Sequence, residues 1–356
     1  MSGRPGRLRR TGGNKATIKI VLAGGTGYLG ELLVRALGQH GHQIVVLSRN
    51  GGDEGRVARV ARVARWDGRT LGAWADELDG AGAVINLAGR SVNCRYTKAH
   101  LREMMDSRVQ STRVVGRAIA QAAQPPRTWL QMSTATVYAH RFDAPNDEET
   151  GRMGGGEPDA PRYRGASIDI ARAWEEALYE ATTPRTRRVA LRTAMVMSPD
   201  PGGPFDVLLA LTRRGLGGPI VGGRQYMSWI HDRDFARAVQ FLLACEDIAG
   251  PVNLAAPHPL PQRDFMAALR AAWGAPVGLP ATRWMVEIGA FVMRTETELV
   301  LKSRRVVPAR LVDAGFAFDF PEWPAAAGDL VARWRQGAPE TRHGHRRGHN
   351  PGDMRQ

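Results

Sequence analysis

From Thr17 onward the chain alternates short aliphatic, β-branched runs with longer stretches in which apolar positions recur every three or four residues. Thr17–Ala23 reads as a strand, Tyr28–Gln39 as a helix and His42–Ser48 as a second strand, while a third strand ends at Trp66 and Ala83–Ala88 makes a fourth. Helical periodicity over 95–123 and 166–182 brackets the strand TWLQMS, and RRVALRT follows as the next strand. Runs such as Val45–Val46–Leu47 are apolar at consecutive positions, as in strands covered on both faces. The alternation therefore predicts an α/β fold, a doubly wound parallel sheet, with a smaller, mostly helical C-terminal lobe after Pro199.

The same pattern sets expected boundaries: a disordered basic tail over 1–16, a dinucleotide-binding domain over 17–200, a substrate lobe over 201–335 and a disordered tail over 336–356. Sheet strands near 220–256, notably Pro251–Ala256, are expected to return to the first domain. Residues 141–165 are polar and rich in Gly and Pro, which predicts a long surface loop, either a lid or a disordered segment.

Composition narrows the function classes. The net charge of +14 invites a nucleic-acid partner, but residues 1–16 and 337–356 carry half of the excess, so the basic balance reads as tails and not as a binding patch. No apolar run approaches the roughly 20 residues that a membrane span needs. Only Cys94 and Cys245 occur, without metal-ligand spacing, so no disulfide framework and no metal site is expected, and a cytoplasmic setting fits.

The chemistry begins at VLAGGTGYLG. Gly24, Gly27 and Gly30 are spaced Gly-x-x-Gly-x-x-Gly, and Gly25, Gly27 and Gly30 also satisfy Gly-x-Gly-x-x-Gly. Between an apolar strand and a helix, with Thr26, Tyr28 and Leu29 completing the turn, they predict a cradle for a dinucleotide pyrophosphate. An acid about 20 residues further on would bind the ribose of NAD. This chain has Ser48–Arg49–Asn50 there, and Arg49 can clamp a 2′-phosphate, so NADP is expected in preference to NAD.

Taken with Trp66–Asp67, NLAG (86–89), STATVY (133–138) and LRTAMV (191–196), this turn resembles the extended short-chain dehydrogenase/reductase superfamily, whose dinucleotide domain is a Rossmann fold. DSRVQSTR, RAWEEA, GLGGPIVGGRQYMSWIHDRD and VVPARLVDAGFAF narrow the resemblance to its atypical epimerase family, nucleoside-diphosphate sugar epimerase-like proteins with a C-terminal domain of unknown function, here about 278–330. The resemblance implies Asp67 near the adenine and Asn86, Ala88 and Gly89 along the ribose and nicotinamide side. It places Thr134 at the catalytic Ser/Thr position and Thr193 to Val196 beside the nicotinamide. Asn86 could equally tie the strand end to a neighbouring loop. Helices 95–123 and 166–182 are those that pair in the superfamily's homodimers.

The departures bear on activity. The superfamily's Tyr-x-x-x-Lys pair falls on Ser167 and Ala171, neither of which can move a proton, and Arg108 stands where Asn is usual. Tyr163 is the nearby phenol, with Arg172 as a charge partner, while Tyr138 is expected to be structural. His231, next to Asp232, is either a general acid/base or a helix-start residue packed on the cleft wall. The expectation is an NADP-binding oxidoreductase or epimerase-like enzyme on a small polar substrate, nucleotide-linked ones included. Thr134 would bind the reacting oxygen, and water, His231 or Tyr163 would supply the proton. The alternative is a dinucleotide-binding regulator or scaffold without turnover.

Overall fold

The computed structural model describes residues 17–50, 57–156, 162–286 and 301–341, the side chains of 162–164 and 338–341 excepted. Seven parallel strands form one sheet: β1 (Lys19–Ala23), β2 (Gln43–Ser48), β3 (Arg62–Arg65), β4 (Ala83–Asn86), β5 (Thr128–Thr134), β6 (Arg187–Thr193) and, later in the chain, β10 (Gly250–Leu254). Their order is β10-β6-β5-β4-β1-β2-β3, so the winding reverses between β1 and β4. In open α/β sheets a ligand crevice opens outside the carboxyl ends of the strands at such a reversal.

Alternation along the strands divides the core. Ile20 and Leu22 of β1 face α1 (Tyr28–Gln39) and α5 (Asp232–Ala244). Val21 and Ala23 face the layer of α2 (Lys98–Gln121) and α3 (Arg162–Tyr179), where Val114, Val115, Ile119, Trp129 and Leu178 are buried together. Both layers are apolar, which is why consecutive strand positions are apolar as well.

Two further short pairings lie beside the main sheet: β7 (Met195–Met197) with β9 (Trp229–His231), parallel, and β8 (Tyr226–Met227) with β11 (Leu260–Pro261), antiparallel. Of the strands near 220–256, β10 alone returns to the seven-stranded sheet. The C-terminal region is helical, with α4 (Pro204–Arg213), α6 (Gln262–Trp273), α7 (Ala309–Asp313) and α8 (Trp323–Thr341). Its core centres on Trp323, stacked on Phe265 at 3.8 Å and donating its indole N–H to the Phe265 carbonyl. Helix α8 runs to Thr341, beyond the boundary expected for the tail, and Trp323, Ala326, Ala327, Leu330 and Val331 of its first part are buried in this core.

The polar segment after Tyr138 is not a free lid over its described part. Asn146 is fully buried and pairs with Val306, the Glu148 carboxylate accepts from the backbone N–H of Asn253, and Ala139 N–H donates to the Arg152 carbonyl. These ties lie far off in sequence, so composition alone read the segment as loose. The 1–16 tail falls outside the described residues. Among the described residues, no helix is long and apolar enough to cross a membrane, and no group of His, Cys, Asp and Glu is placed to hold a metal ion.

Candidate cofactor and active site

The glycine turn sits at the winding reversal, and three of its positions admit no side chain. Gly24 has φ +77°, and a Cβ there would lie 2.9 Å from the Ala88 nitrogen. A Cβ on Gly30 would lie 2.5 Å from the Gly25 backbone, so this pair lets α1 pass close over β1. A Cβ on Gly25 would strike Leu22 and Val46. Gly27 differs: it is exposed, it starts α1 without a side-chain cap, and a Cβ would meet only the Gly24 carbonyl, at 3.6 Å. The open space at Gly27 is on the crevice side, where the unpaired first-turn N–H groups of α1 favour a phosphate. Leu29 turns its side chain onto the core and Thr26 is half-buried, so both would act through the backbone. Tyr28 leans away from the turn: its hydroxyl donates to the Val196 carbonyl, its ring lies against Gly203, and burial raises its pKa.

Arg49 lies at the mouth of a cavity of about 370 Å³ at the ends of β2 and β3, shared with Arg65, Trp66, Asp67, Thr70 and Trp74. The parallel register sets Ser48 beside Arg65, which brings a second guanidinium next to Arg49. Sequence reading missed Arg65, although its place one residue before Trp66 was the available signal. Asp67 accepts from the N–H groups of Arg69 and Thr70 and from the Thr70 hydroxyl, bonds that hold its carboxyl down to about 2. Trp66 and Trp74 pack edge to face at 5.4 Å and supply an apolar wall.

At the end of β4, Asn86 is fully buried: its amide donates to Gln131 and its carbonyl oxygen accepts the Ala88 N–H. The side chain ties the end of β4 to the 86–89 turn, one of the two readings the sequence offered. Ala88 abuts Gly24, and Gly89 is exposed beside Arg108. The Thr193 hydroxyl donates back to the Leu191 carbonyl, and Val196 is buried with its carbonyl held by Tyr28. Both side chains are buried, so any contact there would come from the backbone of this segment.

Thr134 ends β5 half-buried, and its hydroxyl oxygen accepts the Thr136 N–H. One oxygen lone pair is occupied and the proton remains available to donate. Beneath it, Ser133 donates to Glu175, which receives a bidentate pair from Arg192, which in turn donates to the Tyr138 hydroxyl. Tyr138 donates onward to Asn253 and is 2% exposed, so it is structural. On α3, Ala171 is fully buried and Arg172 donates to the Gly154 carbonyl, so Arg172 anchors the 153–154 turn. Tyr163 falls outside the residues whose side chains are described.

His231 takes the helix-start place of its two readings. It is fully buried, caps α5 by accepting the Arg233 N–H on Nδ1, donates from Nε2 to Asp329 and stacks on Phe320 at 3.9 Å. Both ring nitrogens are used, Nδ1 also lying 3.0 Å from Asp232 and Nε2 3.0 Å from Asp329. Asp232 beside it pairs with Arg333, so the cluster joins α5 to α8. Burial lowers the His231 pKa from 6.5, so below that pH the unfolded chain takes up a proton that the folded chain refuses. Stability should fall on acidification through that range by up to roughly 1.4 kcal/mol per pH unit from this group. Chemical denaturation at a series of pH values should show that extra acid loss vanish in His231→Gln.

Comparison with known proteins shows the family and the fold. The profile of the NAD dependent epimerase/dehydratase family matches residues 20–255, and that of a domain of unknown function, DUF1731, matches 281–330. Epimerase family protein SDR39U1 of Bos taurus is 31% identical over 321 residues, 88% of this chain and 100% of that one. Epimerase family protein YfhF of Bacillus subtilis is 27% identical over 322 residues, 88% and 98% of the two chains. The crystal structure of human epimerase family protein SDR39U1 with NADPH superposes with a TM-score of 0.76 at 27% identity, covering 88% of this chain and 99% of that one. A UDP-N-acetylglucosamine 4-epimerase from Bacillus cereus shares the fold, with a TM-score of 0.64 at 17% identity over 90% of this chain and 100% of that one.

Proposed function

Since this chain belongs to the NAD dependent epimerase/dehydratase family, we propose that it binds NADP(H) and acts as an oxidoreductase or epimerase-like enzyme on a small polar substrate. The observation that carries the cofactor is the pair Arg49 and Arg65 at one cavity mouth, where an NAD-selective site would place an acid. A relative of the same family has been crystallised with NADPH. Residues 17–200 with β10 form the cofactor domain and 201–335 the substrate lobe, with the outer sides of α2 and α3 as the homodimer face.

When bound, NADP supplies the nicotinamide carbon that gives or takes hydride. The N-terminus of α1 and Gly27 hold the pyrophosphate, the arginine pair the 2′-phosphate, and the Trp66 wall the adenine. Thr134 donates a hydrogen bond to the reacting oxygen and keeps its proton. Where the superfamily has Tyr and Lys, this chain has a serine hydroxyl, too weakly acidic to titrate near neutral pH, and a methyl group, and His231 is buried. The proton therefore comes from water or Tyr163.

Titrating the protein with NADPH and NADH, followed by energy transfer from tryptophan to the nicotinamide, should give clearly tighter binding of NADPH. Equal affinities would sink the arginine assignment. Absorbance of the nicotinamide band across a panel of carbonyl and sugar-nucleotide substrates then tests turnover, and Thr134→Val should lower kcat by about 10²-fold. Tight binding without turnover on any substrate would favour the second reading, a dinucleotide-binding regulator, for which the Ser167 and Ala171 replacements speak.

A further inference from the structure

Behind Gly89, α2 and α3 hold a cation for which the described fold supplies no counter-charge. Arg108 is 9% exposed, its guanidinium lies over the Trp174 ring at 4.9 Å, and a Cβ on Gly89 would come within 3.2 Å of its Cζ. Nη1 donates to the Met104 carbonyl of its own helix turn. Among the described residues, no carboxylate lies within ion-pair distance and no hydrogen bond engages Nε or Nη2. The nearest titratable neighbours are Tyr96 and Cys94, which are not carboxylates.

Other inward-turned arginines of this chain look different. Arg192 is bidentate to Glu175. Arg187 spends its two terminal nitrogens on the Ile248 and Leu242 carbonyls and the Thr128 hydroxyl. Arg108 has one such bond and an idle edge. A guanidinium cannot shed its proton to relieve burial, so the charge calls for an anion from outside the chain. Burial already draws its pKa down to about 10.

We propose that Arg108 binds the carboxylate of the substrate, so that this chain acts on a small carboxylic acid. The Nε–Nη2 edge is the planar two-donor fork that a carboxylate matches, and Trp174 fixes its plane. Gly89 follows the carboxyl end of β4, at the winding reversal, and a side chain there would crowd Cζ and Nε of Arg108. The inference deepens the enzymatic reading above and rests on it for the identity of the site.

The test uses the full chain saturated with NADPH, titrated calorimetrically with oxamate, an unreactive small carboxylate, and with inorganic phosphate. Oxamate should bind saturably and more tightly than phosphate. Arg108→Lys, which keeps the charge and loses the fork, should weaken oxamate by about tenfold, and Arg108→Gln by about 10²-fold, with NADPH affinity unchanged. Tighter phosphate binding, no oxamate binding, or binding indifferent to both substitutions overturns the proposal. Loss of NADPH affinity in the variants with oxamate retained also overturns it, and moves Arg108 into the cofactor cradle. Arg108-dependent oxamate binding in a protein that takes no NADPH would instead sink the cofactor reading alone. Should both variants fail to fold, amide exchange of the wild-type protein decides: slowing at 89–90 and 104–108 on adding oxamate supports the assignment, and its absence refutes it.

Discussion

Replacing Arg49 and Arg65 together with alanine lowers NADPH affinity by about 10²-fold or more, since each removes a charge-assisted contact worth roughly 1.5–3 kcal/mol. NADH affinity should change little, because the 2′-phosphate is what distinguishes the two ligands. The two single variants should each lose part of the effect, as the register that pairs Ser48 with Arg65 puts both guanidinium groups at one cavity. Arg49→Glu should go further and favour NADH, since a carboxylate at this strand end repels the phosphate and accepts a ribose hydroxyl. Rising salt should weaken NADPH more than NADH in the wild-type chain, because both arginines are at the surface and screened. Parallel loss of both ligands in the double variant would show that the arginines shape the cavity without reading the phosphate.

Why the glycine turn and its flanking elements were legible in the sequence, while Arg65 and the distant partners of His231 were not, follows from the range of the interactions. A strand of aliphatic residues, a glycine run and a helix of period 3.6 are all written within about 20 consecutive residues. Helix α1 accordingly spans Tyr28–Gln39 as expected. Register between parallel strands is set by packing across a crossover, so nothing local in RVARW announces that its last arginine will stand beside Ser48. His231 is harder still, because its Nε2 partner, Asp329, lies 98 residues away on α8. A histidine next to an aspartate reads equally as chemistry or as a helix start until a distant carboxylate and Phe320 close over it. Asn86 shows the intermediate case: a polar residue at a strand end is legible, but its commitment to Gln131, 45 residues on, is not. Arg108 carried a local signal, a cation where a neutral amide is usual, and only the structure shows that its fork stays idle.

Glu175→Gln should destabilise the chain by about 3–5 kcal/mol, the cost of leaving a buried guanidinium without its partner. Both side chains of the Glu175–Arg192 pair are 9% exposed, and the pair has two N–H···O bonds of 2.8 and 2.9 Å. Arg192→Met should cost a similar amount by stranding the carboxylate. The double variant should cost much less than the sum, because a neutral pair leaves no uncompensated charge. Urea unfolding of the four proteins, closed as a double-mutant cycle, measures that coupling; additive losses would mean that the two side chains act independently. The pair also has a place in the site. Through Ser133 it fixes the residue before Thr134, and through Tyr138 and Asn253 it reaches the Val307 carbonyl in the C-terminal region. One buried network thus ties the end of β5 to the segment that packs against it from the other lobe. A variant that still folds should therefore lose positional order at Thr134, with kcat falling while NADPH affinity, for which the proposal relies on Gly27 and Arg49, stays as in the wild type.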